Sequence, residues 1–212
     1  MLDREFYQRP AVQVAPELLG KLLVHETAEG TAAGMIVEAE AYAGPDDDGA
    51  HSFGGRRTER TRIQYGEGGF AYVFGIYGMH WCFNAVTNGR DKPEVVLIRA
   101  LEPVQGIELM KKRRQTEKTE ALCSGPGKLC AALGISRAQY GLDLCSHPLY
   151  ISEYRDIPAE EILLSPRINI DYAENYRDKL WRCYIKSNRC VSKTARRYEA
   201  KATLAEKFSH GE

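Results

Sequence analysis

The 212-residue sequence lacks the features that mark membrane, secreted or zinc-binding proteins. No apolar run approaches the ~20 residues of a membrane span. The first residues, MLDREFYQRPAVQVAPELLG, lack the apolar core of a signal sequence. The six cysteines form no C-x-x-C pair, which argues against a structural zinc site. We therefore expect a soluble cytoplasmic protein whose thiols are mostly reduced and buried.

The sequence also lacks a net charge, because 29 basic residues balance 29 acidic ones. Its charge is nevertheless unevenly distributed: residues 38–48 are acidic, whereas residues 54–62 and 177–201 are mostly basic. Such separation allows a neutral protein to present a basic face to a polyanion. Solvated helix faces produce similar clusters, so the distribution alone leaves both interpretations open.

Hydrophobic patterns and turn residues predict an α+β fold. The predicted strands occupy KLLVHET, residues 34–42, two segments within 70–86, residues 94–103, HPLYIS and WRCYIKS, and the predicted helices lie at 13–22, 104–115 and GPGKLCAALGI. The dipeptide EG at 29–30 predicts a turn that joins KLLVHET and residues 34–42 in a hairpin. Consecutive strands follow in hairpin-like order, which favours a single domain with a mainly antiparallel sheet over a doubly wound fold. We assign residues 1–190 to this domain and 191–212 to a polar tail, either a surface helix or partly disordered.

The segment IVEAEAYAGPDDDGAH, residues 36–51, concentrates acid where a strand ends. Strand alternation places Glu38, Glu40 and Tyr42 on one face. With the aspartates at 46–48 and His51, these carboxylates could form a divalent metal site. Alternatively, one carboxylate could activate water for cleavage of a glycosidic bond. An ordinary solvated turn after a polar strand face is a third reading.

Aromatic residues cluster in the next strands and at their turn. In IYGMH, Tyr77 and Met79 flank Gly78 at a predicted hairpin tip, which either folds back onto its own domain or acts as a wedge between DNA base steps. Tyr42, His51 and Phe74 could line a pocket for a base, since rings stack on any base face. We expect Tyr72 to be an ordinary sheet residue.

Arg99 ends the apolar strand VVLIRA and, if buried, needs an anion. The candidate anions are Glu40, another carboxylate, or a nucleic-acid phosphate. The nearby GPGKLC segment lacks the G-x-x-x-x-G-K-[ST] spacing, so it does not predict a nucleoside triphosphate site.

Together these segments resemble the alkyladenine (3-methyladenine) DNA glycosylase family. The matching segments are LLGKLLV, IVEAEAYAGPDDDGAHSFGGRRTERT, AYVFGIYGMHWCFNAV, VLIRALEP, GPGKLCAALGI and SPRINI, in order over most of residues 5–186. The resemblance implies a curved antiparallel sheet, no metal and no redox cofactor. It also implies base-excision repair, with hydrolysis of the bond between a flipped damaged purine and its sugar.

The resemblance assigns roles residue by residue. Glu40 would activate the water, Tyr42 and His51 would stack on one face of the flipped base and read its edge, and Phe74 would close the other face. Tyr77, with Met79, would fill the gap left in the duplex. Asn84 would disfavour the exocyclic amine of guanine, and Arg99 would lie near the flipped nucleotide.

Further expectations follow from this resemblance. The substrate would be double-stranded DNA with 3-methyladenine, 7-methylguanine, hypoxanthine or ethenoadenine, bound by a monomer without a membrane partner. The expected contacts to the DNA backbone are Arg56, Arg57, Arg60 and Arg167. Three features depart from the family pattern: Phe74 replaces a frequent Tyr, Asn169 replaces a usual Gly, and the extension beyond about residue 191 has no assigned counterpart. The rival functions are a metal-dependent nuclease or phosphoesterase and a non-catalytic DNA-bending module.

Overall fold

One antiparallel sheet organises the chain in this computed structural model, which describes residues 1–193 and 198–209. Within them the strands are β1 Leu22–Thr27, β2 Gly30–Tyr42, β3 Ala71–Ile76, β4 His80–Thr87, β5 Glu94–Gln105, β6 Leu149–Ser152, β7 Ile162–Ser165, β8 Arg182–Ile185 and β9 Ala202–Thr203. They pair in the order β3-β4-β5-β2-β8-β7-β9, and β1 pairs with β2 and β6. All these pairings are antiparallel, which confirms the predicted α+β class.

Short helices flank the sheet. They are α1 Arg4–Tyr7, α2 Ala11–Glu17, α3 Ile107–Arg114, α4 Pro126–Leu133 and α5 Leu204–Ser209. Helix α4 begins with Pro126 in its first turn and ends at Gly134, which is left-handed at φ 71°, as helix-end preferences predict. Its buried side chains pack against β4 and β5.

The helix predicted at residues 104–115 begins later than expected. Pro103 lies within β5 rather than ahead of a helix, and α3 starts at Ile107 after the left-handed Gly106. Gly106 has a φ of 72°, and a Cβ at that position would lie 2.3 Å from the carbonyl oxygen of Thr31. The sharp turn that only glycine permits here therefore sets the helix start.

Both hairpins predicted from turn residues are present. Strands β1 and β2 pair in register around a turn at Ala28 and Glu29. Strands β3 and β4 pair around a tip formed by residues 77–79. The late strands predicted in HPLYIS and WRCYIKS are β6 and β8, whereas β7 was not predicted.

The central strand β2 is buried on both faces. On one face Met35 and its alternate neighbours to Ala41 are apolar and buried. The opposite face, with Glu38 and Glu40, is equally buried, because the loop after β7 and the segment after β8 cover it through Ile168 and Ser192. Two carboxylates therefore lie inside the protein, and they need positively charged partners there.

The region beyond residue 190, predicted as a polar tail, lies partly outside the described residues, at 194–197 and 210–212. In its described part, β9 pairs with β7, Tyr198 is buried and α5 follows. Val191 and Leu204 pack against the main core. This region therefore contributes to the same core as the preceding domain.

Five of the six cysteines are buried, as predicted, and Cys145 is partly exposed. Within the described ranges, no helix has the length and apolar character that would be needed to cross a lipid bilayer.

Candidate active site

A cavity of about 220 Å³ lies where the β2–β3 loop (residues 43–70), the β3–β4 hairpin and the loop after β7 meet. Its volume is below the ~300–1,000 Å³ of typical drug-sized pockets, which suits a compact ring system. The predicted pocket residues all line it, namely Tyr42, His51, Phe74, Asn84 and Arg99. The tip residue Tyr77 lies at the same cavity.

Glu40 lies behind one wall of this cavity and is completely buried. Its Oε1 accepts a 2.8 Å hydrogen bond from the backbone N–H of Ile168. Its Oε2 accepts one of 2.9 Å from the Tyr42 hydroxyl and one of 3.2 Å from Arg99. An ionised carboxylate has about four acceptor positions, so these three donors leave room for roughly one more, such as a water molecule.

The hydroxyl of Tyr42 is held in its protonated, donating form. Burial raises the pKa of Tyr42 well above its ordinary value, and the neighbouring Glu40 raises it further. The guanidinium of Arg167 lies over the Tyr42 ring, 4.6 Å from the ring centroid. Tyr42 thus presents a fixed aromatic surface to the cavity while it donates to Glu40.

A second buried carboxylate, Glu38, holds Arg99 from the other side. Its Oε1 accepts from Nε of Arg99 at 3.3 Å and from Nε of Arg182 at 2.7 Å. The backbone N–H and hydroxyl of Ser192 add bonds of 2.7 and 2.8 Å. Of the three anions considered for Arg99, the structure therefore supplies two carboxylates, Glu38 and Glu40.

Arg99 keeps its positive charge despite its burial. Desolvation alone would lower the pKa of Arg99, but Glu40 and Glu38 raise it above its ordinary value. Arg182 was missed by sequence reasoning, because its contact to Glu38 spans 144 residues. The structure explains the contact through pairing of β2 with β8, in which Arg182 lies opposite Glu40.

Two of the three consecutive aspartates are held by partners of their own, and Asp46 is exposed. Asp47 is buried and binds Arg167 through both carboxylate oxygens, at 2.6 and 2.7 Å. It also accepts from the backbone N–H groups of Ala43 and Gly49. Asp48 accepts from three consecutive backbone N–H groups, those of residues 174–176. In the described ranges, no group of three or more His, Cys, Asp or Glu side chains is arranged to hold a metal ion.

The expectation that Arg167 contacts the DNA backbone is corrected by the structure. Its side chain has no exposed surface and lies between the rings of Tyr42 and Trp181. It donates to Asp47 and to the carbonyl oxygen of Ala41. A guanidinium buried in this way cannot reach a phosphate, so Arg167 instead fixes the β2–β3 loop to the loop after β7.

His51 has a defined tautomer. Its Nε2 lies 3.1 Å from a guanidinium nitrogen of Arg60, and because arginine only donates, this Nε2 is unprotonated. The proton on Nδ1 is then donated to the Tyr72 hydroxyl at 2.8 Å. Desolvation among the neighbouring rings, and secondarily the charge of Arg60, lowers the pKa of His51 to about 4.

The imidazole of His51 is therefore expected to stay neutral down to about pH 4. Because its pKa is lowered on folding, His51 contributes stability above pH 6.5 that is lost as the pH falls through about 4. NMR titration of the five histidines, with a His51→Gln variant for assignment, measures this value. A midpoint for His51 near the ordinary 6.5 would contradict the desolvation and the Arg60 contact that lower its pKa.

Tyr72 has a larger part in the site than the sequence indicated. It is buried, and burial raises the pKa of its hydroxyl to about 12. Its carbonyl oxygen accepts from the Asn84 side-chain amide at 3.0 Å. Tyr72 therefore orients both His51 and Asn84. Strand parity could have revealed it, since Tyr72 and Phe74 are two residues apart on β3 and share a face.

The hairpin tip is exposed rather than folded back. Tyr77 and Met79 are 86% and 76% exposed. Tyr77 has a φ of 49° and Gly78 a φ of 72°, so the turn holds a bulky residue in a left-handed conformation that such residues rarely adopt. Two large apolar side chains therefore project beside the cavity, which is typical of a surface that contacts a partner.

The remaining predicted DNA-backbone residues lie on the β2–β3 loop. Arg56, Arg57 and Arg60 are all exposed. Arg57 pairs with Asp91 at 2.6 Å and stacks on Tyr65, 4.0 Å from the ring centroid. These three arginines form a basic rim near the cavity.

Asn169 resolves one departure from the family pattern. Its φ is 61°, a left-handed conformation that asparagine tolerates better than most residues. Asn169 thus adopts a conformation that glycine would allow as well, directly after the Ile168 N–H that donates to Glu40.

Two comparisons of the sequence with known proteins give matches over most of the chain. The sequence profile of the methylpurine-DNA glycosylase family matches residues 5–189. A Clostridium acetobutylicum protein named "Putative 3-methyladenine DNA glycosylase" is 49% identical over 199 residues, which covers 90% of this chain and 97% of the relative. Proteins with the same name from Clostridium novyi and Bacillus licheniformis are 48% and 49% identical, and each covers 91% of this chain, with 98% and 96% of the relative aligned.

Proposed function

This chain belongs to the methylpurine-DNA glycosylase family, and on that premise we propose that it releases alkylated purines, with 3-methyladenine as the type substrate, from double-stranded DNA. The observation that carries the proposal is the buried Glu40 carboxylate directly behind an aromatic cavity. We extend the substrate class to 7-methylguanine, hypoxanthine and ethenoadenine.

The damaged nucleotide enters the cavity by rotating out of the duplex. Unstacking costs a few kcal/mol and is least costly at damaged or mispaired bases, which supplies part of the selectivity. The exposed Tyr77 and Met79 fill the gap in the base stack, while the arginines of the basic rim bind flanking phosphates with salt-sensitive affinity.

The rings of the cavity hold the base by stacking. Tyr42 and Phe74 line the cavity, and aromatic stacking contributes ~1–3 kcal/mol per base. Alkylation at a ring nitrogen makes the purine cationic, and a cation is attracted to the face of an aromatic ring. Phe74 supplies this face without a hydroxyl group. Asn84 is held in place by its bond to the Tyr72 carbonyl oxygen, and its fixed side chain disfavours an exocyclic amine at the base edge by occupying that space.

Hydrolysis follows from the position of Glu40. A water molecule at the remaining acceptor position of its carboxylate gives up a proton to Glu40 and attacks C1′ of the flipped nucleotide. The bond from C1′ to the base nitrogen breaks, and its electron pair leaves with the base. The negative charge of Glu40 also stabilises the oxocarbenium-like transition state. The products are a free base and an abasic site.

The same geometry supports a monofunctional enzyme. Strand cleavage through a Schiff base requires an amine, and no lysine lines the cavity in the part of the chain that the structure describes. The reaction needs only water and the DNA substrate, which a monomer can bind.

The proposal is tested with duplex DNA containing one hypoxanthine or one 7-methylguanine, incubated with the protein and a chelator. Free bases and abasic sites are quantified separately, and strand breaks are measured before any alkaline treatment. We expect equal amounts of base and abasic site, without strand breaks. Strand breaks as the first product, lost in chelator, would instead indicate a metal-dependent nuclease. Binding without base release would indicate a DNA-bending module.

A further inference from the structure

Arg60 contacts two residues that line the base cavity, His51 and Phe74, but does not line the cavity itself. Its guanidinium lies 3.1 Å from Nε2 of His51 and 4.6 Å from the ring centroid of Phe74. It lines two neighbouring surface cavities, one of which also includes Phe74. Phe74 therefore separates the guanidinium of Arg60 from the space in which a base would stack.

The charge of Arg60 is not neutralised by a neighbour. No carboxylate in the described residues lies within 4 Å of its guanidinium, and the adjacent Glu59 pairs with Arg62 instead. Its contact to His51 is with a neutral imidazole, since the nitrogen facing it accepts the hydrogen bond. A full positive charge thus lies on one side of Phe74.

This charge affects cationic and neutral bases differently. The guanidinium already interacts with the electron-rich face of Phe74. A base cation stacked on the same ring from the cavity side is repelled across the ring by the guanidinium, whereas a neutral base is not. Other differences between two bases, such as the exocyclic amine of 7-methylguanine near Asn84, are the same with and without the Arg60 charge.

We propose that Arg60 is a specificity-determining residue that weakens the preference of this enzyme for cationic bases relative to neutral ones. The inference rests on the proposed function, because it concerns which base in the cavity is released. It gives Arg60 a role beyond a phosphate contact, through Phe74 and His51. The enzyme would thereby retain activity on neutral lesions such as hypoxanthine.

The test compares single-turnover base release from two otherwise identical duplexes, one with 7-methylguanine and one with hypoxanthine. The ratio of the two rates removes any shared loss of DNA binding. In Arg60→Gln the 7-methylguanine to hypoxanthine ratio is expected to rise about two- to fivefold, the size of an exposed cation–π contact. Arg60→Lys keeps the charge and is expected to keep the ratio.

Arg62→Gln is the matched control, because Arg62 lies on the same loop but its guanidinium pairs with Glu59 and makes no hydrogen bond or ring contact to Phe74 or His51 among the described residues. Its ratio is expected to stay within about twofold of the unmodified protein, below the cation–π effect. NMR titration of His51 in Arg60→Gln provides a second readout, and its midpoint is expected to rise.

An equal fall in both rates with an unchanged ratio would overturn the inference and leave Arg60 with DNA binding alone. A fall in the ratio would overturn it as well. A failure of the unmodified protein to release either base would reject the proposed function, and with it this inference. These results differ, so the two failures can be told apart.

Discussion

Glu40→Gln is expected to slow the release of hypoxanthine from duplex DNA by about 10²–10⁴-fold, the usual contribution of a general base. The amide cannot take a proton from water, and it no longer offers negative charge to the oxocarbenium-like transition state. Its carbonyl oxygen can still accept from Ile168, as Oε1 does in the unmodified protein. Single-turnover kinetics at saturating protein concentration measures the chemical step separately from DNA binding.

The fold is expected to survive this substitution, because Arg99 keeps its second carboxylate partner, Glu38. DNA affinity, measured by fluorescence anisotropy, should therefore be unchanged. Tyr42→Phe is the matched control, since it keeps the ring and removes only the hydroxyl that donates to Glu40. We expect it to slow the reaction less than Glu40→Gln. Near-normal base release by Glu40→Gln would show that Glu40 is not the base.

Local sequence rules were sufficient for much of the sheet. Turn residues located both hairpins, and alternation placed Glu38, Glu40 and Tyr42 on one face of β2. That placement agrees with the hydrogen bond from Tyr42 to Glu40 and with the contact of both glutamates to Arg99. The hairpins depend on residues that are close in sequence, and the shared face depends on the alternation of side chains along a strand. Both can be read directly from the sequence.

The partners of those carboxylates could not be predicted in the same way. The pairing between β2 and β5 shifts its register on both sides of Glu38. Glu38 pairs with Ala100 and Ala39 pairs with Ile98, so Arg99 lies opposite no residue of β2. Such irregularities re-aim a side chain, here toward two buried glutamates, and no sequence pattern indicated them. Arg182 likewise depends on the pairing of β8 with β2, which is decided by the whole fold.

The charged β2–β3 loop shows the same limit. Three aspartates in a row and an arginine in SPRINI suggested a solvated turn and a DNA contact. In the structure Asp47 and Arg167 neutralise one another in the interior. A charged residue is expected to be exposed only when the fold places no opposite charge beside it. Asp47 and Arg167 are 120 residues apart in the sequence, so local patterns did not indicate that they pair.

Arg167→Ala is expected to lower the free energy of unfolding by about 3–5 kcal/mol, because removing one partner leaves the other as an uncompensated buried charge. Asp47 has no exposed side-chain surface, so water cannot solvate its carboxylate without opening the loop. The stacking of Arg167 on Tyr42 and Trp181 is lost as well. Urea denaturation at pH 7 measures the change.

Arg57→Ala is the matched control for this variant. Arg57 also pairs with an aspartate, Asp91, but both side chains are largely exposed, at 60% and 70%. Exposed pairs contribute only about 0–1 kcal/mol, so its effect on the free energy of unfolding should be small. Similar losses in Arg57→Ala and Arg167→Ala would contradict the assignment of Arg167 as a buried structural residue.

The salt dependence of DNA binding separates the two roles that Arg167 could have. Loss of a phosphate contact reduces the slope of log affinity against log salt concentration by about one. Arg56 is exposed on the basic rim, and Arg56→Ala is expected to show this change. Arg167→Ala, compared at a temperature where it remains folded, is expected to keep the slope of the unmodified protein. A reduced slope for Arg167→Ala would show that Arg167 contacts a DNA phosphate. An unchanged slope with lowered stability would show that Arg167 is a structural residue that holds Tyr42 in place.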